Sequence, residues 1–472
     1  MDKHQKQLAA IPQISQILNH PALESYLATY CHDFVVLAVQ KATNAVRKTI
    51  LNGGRGAPRT RAKIQEQIVR EAVSQLEQSL RPSLRKVINA TGIILHTGLG
   101  RAPLPKEALR NIQKVAEGYC NLEFELGSGK RGKRTAHVEA LLCHLTGAEA
   151  ACVVNNNAAA VLLTLNTLAF AKETIVSRGQ LVEIGGSFRI PEVMAKSGTR
   201  MVEVGTTNKT HLKDYQKALS PDTSLICVVH PSNYRVQGFT KEVPLSELVE
   251  FAQGHDLPVM QDLGGGILFD LRKHGLPYEP VARESIAAGV DVSTFSGDKV
   301  LGGPQSGIIV GKKKCLDLIK SNPLLRALRC DKLVYAALEP TLKHYLQQEQ
   351  LPELSQVFRM LLEPVEHVEK RAERVRAKVC QVRSEAVEVG VVDSTVQMGS
   401  GALPLEALPS KALCLSSSST AIEKLARAFR MCEPALVGYV RDDRLFFDLR
   451  TVPEEDEPAM IAAFERVLSS PL

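Results

Sequence analysis

The sequence of 472 residues contains no tryptophan, and only 5% of it is aromatic. A platform of interleaved aromatic and basic residues, of the kind that stacks splayed bases, is therefore not legible anywhere in it. Long apolar runs are missing too. The longest candidate, 158–171, is interrupted by Thr164, Asn166 and Thr167, well short of the ~20 residues that span a bilayer. The N-terminus has no basic stretch followed by an apolar core, so no secretory signal is expected. The ten cysteines are scattered, with no C-x-x-C pair and no Cys/His cluster at zinc spacing. That excludes a disulfide framework and a structural zinc site, and it points to the cytoplasm, where thiols stay reduced. No metal site and no internal repeat is expected.

Acidic residues are also missing from one stretch. Between Asp33 and Glu66 there is no acid, while Lys41, Arg47, Lys48, Arg55, Arg59, Arg61 and Lys63 all fall there. The whole net charge of +7 resides in residues 1–88, and residues 89–472 are neutral. Helix-like apolar spacing over 8–18, 27–46 and 64–80, with breaks at Pro12, Pro21 and Gly53-Gly54, predicts a helical module. A glycine-rich stretch, 52–58, lies within the basic run, and a linker is expected near Arg81-Pro82. Two readings of the charge stand side by side: a solvated helical surface, and a module that binds a polyanion. In the second, Arg47, Lys48, Arg55, Arg59, Arg61 and Lys63 are the candidate phosphate contacts.

What the rest of the chain contains is an alternation of short β-rich runs and helical stretches from residue 87 onward. Pairs such as 151–154 with 158–168, and 225–230 with 245–253, predict an α/β domain around a mostly parallel sheet. A charged helical stretch, 365–379, leads into a smaller α+β unit, where 436–440 and 445–449 form a predicted hairpin. The expected domains are 1–88, a large domain 89–350 and a small C-terminal domain 351–472.

Three features carry chemistry. In VVNNNA (153–158), an apolar strand runs into small polar residues that open an alanine-rich helix, and the first N–H groups of that helix with Asn156 and Asn157 form a candidate phosphate cradle. In PVMQDLGGG (258–266), Asp262 ends an apolar strand at the sheet edge where open α/β folds place ligands; it could hold a pyridinium, a ribose hydroxyl or a metal, or simply cap a turn. In TFSGDKVLGGPQ (294–305), Lys299 sits among small residues, which suits an imine-forming amine with a lowered pKa. Ser296 is a candidate further phosphate contact. The order of cradle, Asp and Lys is similar to the layout of the fold-type-I pyridoxal 5′-phosphate (PLP) enzymes, in which the Lys binds the cofactor and the Asp faces its ring nitrogen.

The wording of several segments is closer still. VINATGIILHTGLGRAP (87–103), GKRGKRTAHVE (129–139), TGAEAACVVNNNAAA (146–160), HPSNYR (230–235) and SGDKVLGGPQSG (296–307) resemble the bacterial selenocysteine synthase family, the L-seryl-tRNA(Sec) selenium transferases. The resemblance covers essentially the whole chain. It implies a fold-type-I PLP transferase that converts L-seryl-tRNA(Sec) to selenocysteinyl-tRNA(Sec) by way of an aminoacrylyl-tRNA, with selenophosphate as selenium donor. It places the PLP lysine on Lys299 and the ring-nitrogen acid on Asp262. It also places the selenophosphate contacts on Arg101, Arg326 and Arg329, with the last two sharing one face if both are helical. A homodecamer, a ring of dimers, is implied as well, and the 1–88 module would hold the tRNA.

Two positions stay open. Arg450 matches a carboxylate clamp of many fold-type-I enzymes, but an esterified seryl group needs none, so its role is structural or unknown. The ring-stacking residue usual in that fold finds only Phe188, with Ser187 beside it, so an aliphatic or polar partner is the alternative. The rival functions are a PLP lyase of the same lineage acting on a small amino acid or sugar acid, and a nucleic-acid-binding regulator built on a PLP domain. The first has no use for the basic module, and the second requires a base-reading element that the sequence does not show.

Overall fold

The structure, a computed structural model, describes residues 3–52, 58–184, 186, 188–381 and 387–469. Contacts divide the chain into two compact units, Met1–Lys86 and Val87–Leu472. No helix among the described residues is long and apolar enough to cross a membrane.

The first unit is all helical. Its body is the pair His32–Leu51 and Arg61–Leu80. Apolar residues at helical spacing, Val35, Val39, Ala42, Val46 and Ile50, are buried in one core with Ile64, Ile68, Ala72 and Leu76. Two breaks differ from expectation. Pro21 does not end a helix but opens one, Pro21–Thr29, where its missing N–H costs nothing. The stretch expected to be continuous over 27–46 instead breaks at Tyr30 and Cys31. Asp33 then lies in the first turn of the next helix, where the positive helix end favours it. The candidate residues Arg47, Lys48, Arg59, Arg61 and Lys63 are all exposed, around the end of one long helix and the start of the next. Arg55 lies outside the described residues.

The second unit is organised by a seven-stranded sheet in the order Ala150–Val154, Gly307–Gly311, Val292–Ser296, Val259–Gly264, Thr223–Val229, Glu173–Ser177 and Arg200–Val204. The last five strands are mutually parallel, and Gly307–Gly311 runs antiparallel to both of its neighbours. Strand residues alternate between two cores. Ala151, Val153, Phe295, Ile308 and Val310 pack with Leu142 and Leu338 of helices on one face. Ala150, Cys152, Val154, Val292 and Ile309 pack with Leu163 and Leu316 of helices on the other. Both faces are covered, which is why these strands are continuous apolar runs.

A four-stranded antiparallel sheet follows, in the order Val387–Gly399, Ala402–Ser417, Arg444–Asp448 and Tyr439–Arg441. It packs on the helices Val365–Val379, Ile422–Arg430 and Glu457–Ser469 around Phe429, Phe447 and Phe464, whose ring centres are 4.8–5.3 Å apart. The predicted hairpin is present, with Asp442 and Asp443 both at positive φ in its turn. Its first strand is split, however. Ala435–Val437 pairs in parallel with Val87–Asn89, and pairing with Arg444–Asp448 starts only at Tyr439.

Arg450 finds its role in this sheet. Its guanidinium donates to the carbonyls of Pro409 (2.6 Å), Met360 (3.1 Å) and Glu363 (2.6 Å). The buried Asp448 carboxylate accepts from its backbone N–H, from Ser394 and from Ser410. Arg450 is thus a buried tie between strand and helix ends. Arg450→Ala is expected to cost about 3 kcal/mol, because three carbonyls and a buried carboxylate lose their cationic partner together. Urea denaturation measures it; a midpoint unchanged from the parent would contradict this assignment.

Candidate active site

Strands Val259–Gly264 and Val292–Ser296 lie side by side and end at one edge of the large sheet, and a cavity of about 470 Å³ opens there. That size suits a small-molecule ligand. Asp262, near the end of its strand, is buried in the wall. Its Oδ1 accepts three hydrogen bonds, from Asn157 Nδ2 (2.8 Å), Gly264 N–H (3.1 Å) and Thr294 Oγ1 (3.2 Å). Burial still pushes this carboxyl above the usual carboxylate range, against the pull of those donors and of the Lys299 charge.

Lys299 stands in the tight loop that follows Val292–Ser296. The loop closes through Gly297 N–H to Ser306 O (2.9 Å), Gly303 N–H to Gly297 O (2.8 Å) and Gly302 N–H to Lys299 O (3.0 Å). A Cβ at Gly297 would lie 2.8 Å from the backbone Pro304 O as well as 2.1 Å from Ser306 Oγ, so the closure calls for glycine. The lysine is only 8% exposed and lines the cavity. Desolvation lowers its pKa; Asp262 opposes that shift, and the neighbouring Arg101 adds to it. Arg101 pairs with Asp298 at 2.6 Å and lines the same cavity. It holds a positive φ of 61°, an uncommon conformation for a non-glycine residue and one that marks a constrained position.

Opposite lies the helix Asn157–Ala169. Asn156 caps it, accepting from Ala159 N–H at 2.8 Å, while Asn157 donates to Asp262. Both side chains thus have work within the protein, and the anion-binding capacity of the cradle rests on the first helical N–H groups, which no helical carbonyl can reach. Close approach fixes the position of this turn: a Cβ at Gly307 would lie 2.0 Å from Asn156 O. Asn156, Asn157 and Ser296 all line the cavity.

The structure does not gather every candidate here. Arg326 and Arg329 are outside the lining. They also do not share a helical face: the helix is Leu324–Leu328, and Arg329 follows it with extended backbone, bridging to Val154. Its Nη1 is 3.6 Å from Glu123 Oε1. Ser187 lies outside the described residues. The Phe188 side chain lies outside the described residues as well; among the described lining residues are the aliphatic Val182, Ile184 and Ile190. The sequence alone does not single out His230, Ser232, Gln305 or Ser400 as site residues, yet all four line the cavity. His230 and Ser232 lie in the segment HPSNYR, which carries part of the family resemblance; Ser400 comes from the turn of a distant hairpin and has no local signal.

These residues fit PLP. A desolvated amine, a buried acid and a helix N-terminus converge on one space, and Asn157 Oδ1 is a buried acceptor without a donor. Among the described residues, no His/Cys/Asp/Glu group suited to a metal ion is found.

Comparison with known proteins gives a consistent picture. A family model described as L-seryl-tRNA selenium transferase matches residues 87–453. The L-seryl-tRNA(Sec) selenium transferase of Carboxydothermus hydrogenoformans is 47% identical over 452 residues, 96% of this chain and 96% of its own. That of Moorella thermoacetica is 46% identical over 462 residues, 97% of each. Among solved structures, a D-glucosaminate-6-phosphate ammonia-lyase superposes with a TM-score of 0.55 at 20% identity, covering 83% of this chain and 98% of its own. This last likeness concerns the fold, which is that of the fold-type-I PLP enzymes.

The buried acid makes stability depend on pH. Because its folded pKa is raised, the penalty for ionising Asp262 is absent below the unfolded value near 3.8 and grows as pH rises through the folded value. Asp262→Asn is therefore expected to raise the Tm of the ligand-free chain at pH 7 by about 2 °C, a gain that vanishes towards pH 4. Scanning calorimetry across that range is the check, and a gain independent of pH would refute it.

Proposed function

The chain belongs to the L-seryl-tRNA selenium transferase family, and on that footing we propose how its residues carry out the PLP-dependent conversion of L-seryl-tRNA(Sec) to selenocysteinyl-tRNA(Sec). The observation that carries the assignment of roles is the meeting of a desolvated Lys299 with a buried Asp262 in one cavity. Bound there, PLP supplies an electron sink for the pair left at the seryl Cα when its proton is lost. Lys299 is the attachment point, the charged form of its amine disfavoured by desolvation, and it takes the Cα proton at Nζ. Asp262, with Oδ1 saturated by three donors, uses Oδ2 to hold a proton against the ring nitrogen. The first N–H groups of Asn157–Ala169, with Asn156, Asn157 and Ser296 around them, hold the phosphate group.

Arg101 is the cavity's own contact for the anionic selenophosphate, and Asp298 keeps its guanidinium oriented until that anion arrives. Arg326 and Arg329 are assigned to the same anion by resemblance alone. The basic N-terminal unit holds the tRNA through phosphates: Arg59, Arg61 and Lys63 sit at a helix start, where the helix dipole disfavours cations and favours a phosphate partner. Arg47 and Lys48 extend that surface, and Arg55 belongs to the same basic run. The charge of this unit favours a polyanionic substrate over the small molecules of a related lyase. The family resemblance further supports a homodecamer built as a ring of dimers, working in the cytoplasm.

Two experiments test this reading. Borohydride reduction of the PLP-loaded chain is expected to fix a pyridoxyl label on Lys299. Lys299→Ala should lose both the label and selenocysteinyl-tRNA formation, by about 10³-fold or more; turnover that persists without the label would overturn the role of Lys299. For the basic unit, replacing Arg47, Lys48, Arg59, Arg61 and Lys63 by Gln should weaken seryl-tRNA binding. It should also flatten the dependence of log K on log salt, by about 0.7–0.9 for each phosphate that is no longer neutralised. An unchanged slope would remove these residues from the tRNA surface.

A further inference from the structure

His230 is the one titratable group of the cavity wall, among the described lining residues, that the roles above leave without a task. The others are Arg101, Asp262, Asp298 and Lys299. Asp298 is engaged by Arg101, Arg101 does not give up its proton, Asp262 is held by three donors, and Lys299 is occupied at Cα. His230 directly follows the strand Thr223–Val229, and its own N–H donates to Asp262 O at 2.9 Å. Its ring Nε2 lies 3.2 Å from Oε2 of Glu279, a carboxylate whose side chain is 8% exposed. Glu279 comes from a separate segment, tied to the sheet edge by the bridge between Ile267 and Val281. A buried carboxylate on one ring nitrogen fixes the tautomer and leaves the other nitrogen free to exchange a proton.

We propose that His230, oriented by Glu279, is the proton carrier between the seryl α-amino group and the departing β-hydroxyl; this rests on the selenium-transferase reading above. With Nε2–H bonded to Glu279, Nδ1 accepts a proton from the incoming α-ammonium group, whose ordinary pKa of about 8 leaves it largely charged at neutral pH. Lys299 Nζ takes the Cα proton, and the Cα–H electron pair becomes the second bond between Cα and Cβ. The Cβ–O bond breaks with its pair on oxygen, the Nδ1 proton passes to that oxygen, and water leaves. His230 ends neutral, as it began. Glu279 touches no reacting atom and acts as a positioning residue.

The test changes the need for a proton without changing the rest of the substrate. With seryl-tRNA, His230→Gln is expected to lower turnover by about 10²-fold or more and Glu279→Gln by about tenfold. With a β-chloroalanyl ester of the same tRNA, whose chloride leaves unprotonated, only the α-ammonium still calls on the ring, so the loss in each variant should shrink to less than half its value on seryl-tRNA on a logarithmic scale. Equal losses on the two substrates would overturn the proposal, and so would no loss on either. A second readout needs no turnover: solid-state ¹⁵N NMR of the histidine-labelled full chain without cofactor, with the His230→Gln spectrum subtracted to isolate this ring among the 12 histidines. In the neutral form of the ring the proton is expected on Nε2, and the opposite tautomer would contradict the proposal. If the parent chain itself fails to convert seryl-tRNA, the functional reading fails, whatever the tautomer shows.

Discussion

The site depends on a single bond between distant parts of the chain, the hydrogen bond from Asn157 to Asp262. It joins the first turn of a helix to the end of a strand 105 residues later. Without it, the helix N-terminus and the buried acid would be two separate features of the sheet edge. With it, an anion-binding end and a proton-holding group keep a set spacing, and Lys299 is presented between them by its glycine-closed loop. Opposite charges are then held together in low dielectric. Desolvation disfavours the charged form of both Asp262 and Lys299, and their mutual attraction only partly offsets this. On its own the pair is electrostatically uncomfortable, and a ligand that brings a ring nitrogen and a phosphate relieves it.

The basic helical unit shows the same logic at a surface. Its core is the apolar stripe of the two long helices, joined by Ile17 and Leu23 of the shorter ones. No acid stands in the first turn of Arg61–Leu80, and Arg61 and Lys63 occupy it instead. Such placement works against the helix dipole and contributes nothing to the core. It makes physical sense as a surface kept ready for phosphate.

Much of this is legible in the sequence because it is local. Strand–turn–helix at Asn156 and Asn157, an acid at a strand end, and a lysine among glycines each have a short-range signature, and their order along the chain supplies the rest. Where the sequence misleads, the reason is a change of partner or of backbone that no local pattern carries. Arg326 and Arg329 have helical spacing, but the helix stops at Leu328. Residues 436–440 look like one strand, yet Gly438 divides two strands that pair with different neighbours. Asn157 has the position of a phosphate ligand, whereas its amide is committed to Asp262. The His230–Glu279 pair spans 49 residues, and the polar character of neither residue announces the other.

The turn of the long hairpin, Val387–Gly399 with Ala402–Ser417, has a consequence of its own. Ser400 lines the cavity, and its hydroxyl bonds to Leu95 O at 2.6 Å, while Ile94 and Leu95 add their N–H groups to Gln397 and Met398. One section of the cavity wall is therefore the tip of a ribbon rooted in the C-terminal core around Phe447. Residues 93–95 pin the ribbon next to its tip. Substitutions that loosen the phenylalanine cluster need not touch the ligand to alter the breadth of its chamber, so selection for substrate fit and selection for C-terminal packing act on the same residues.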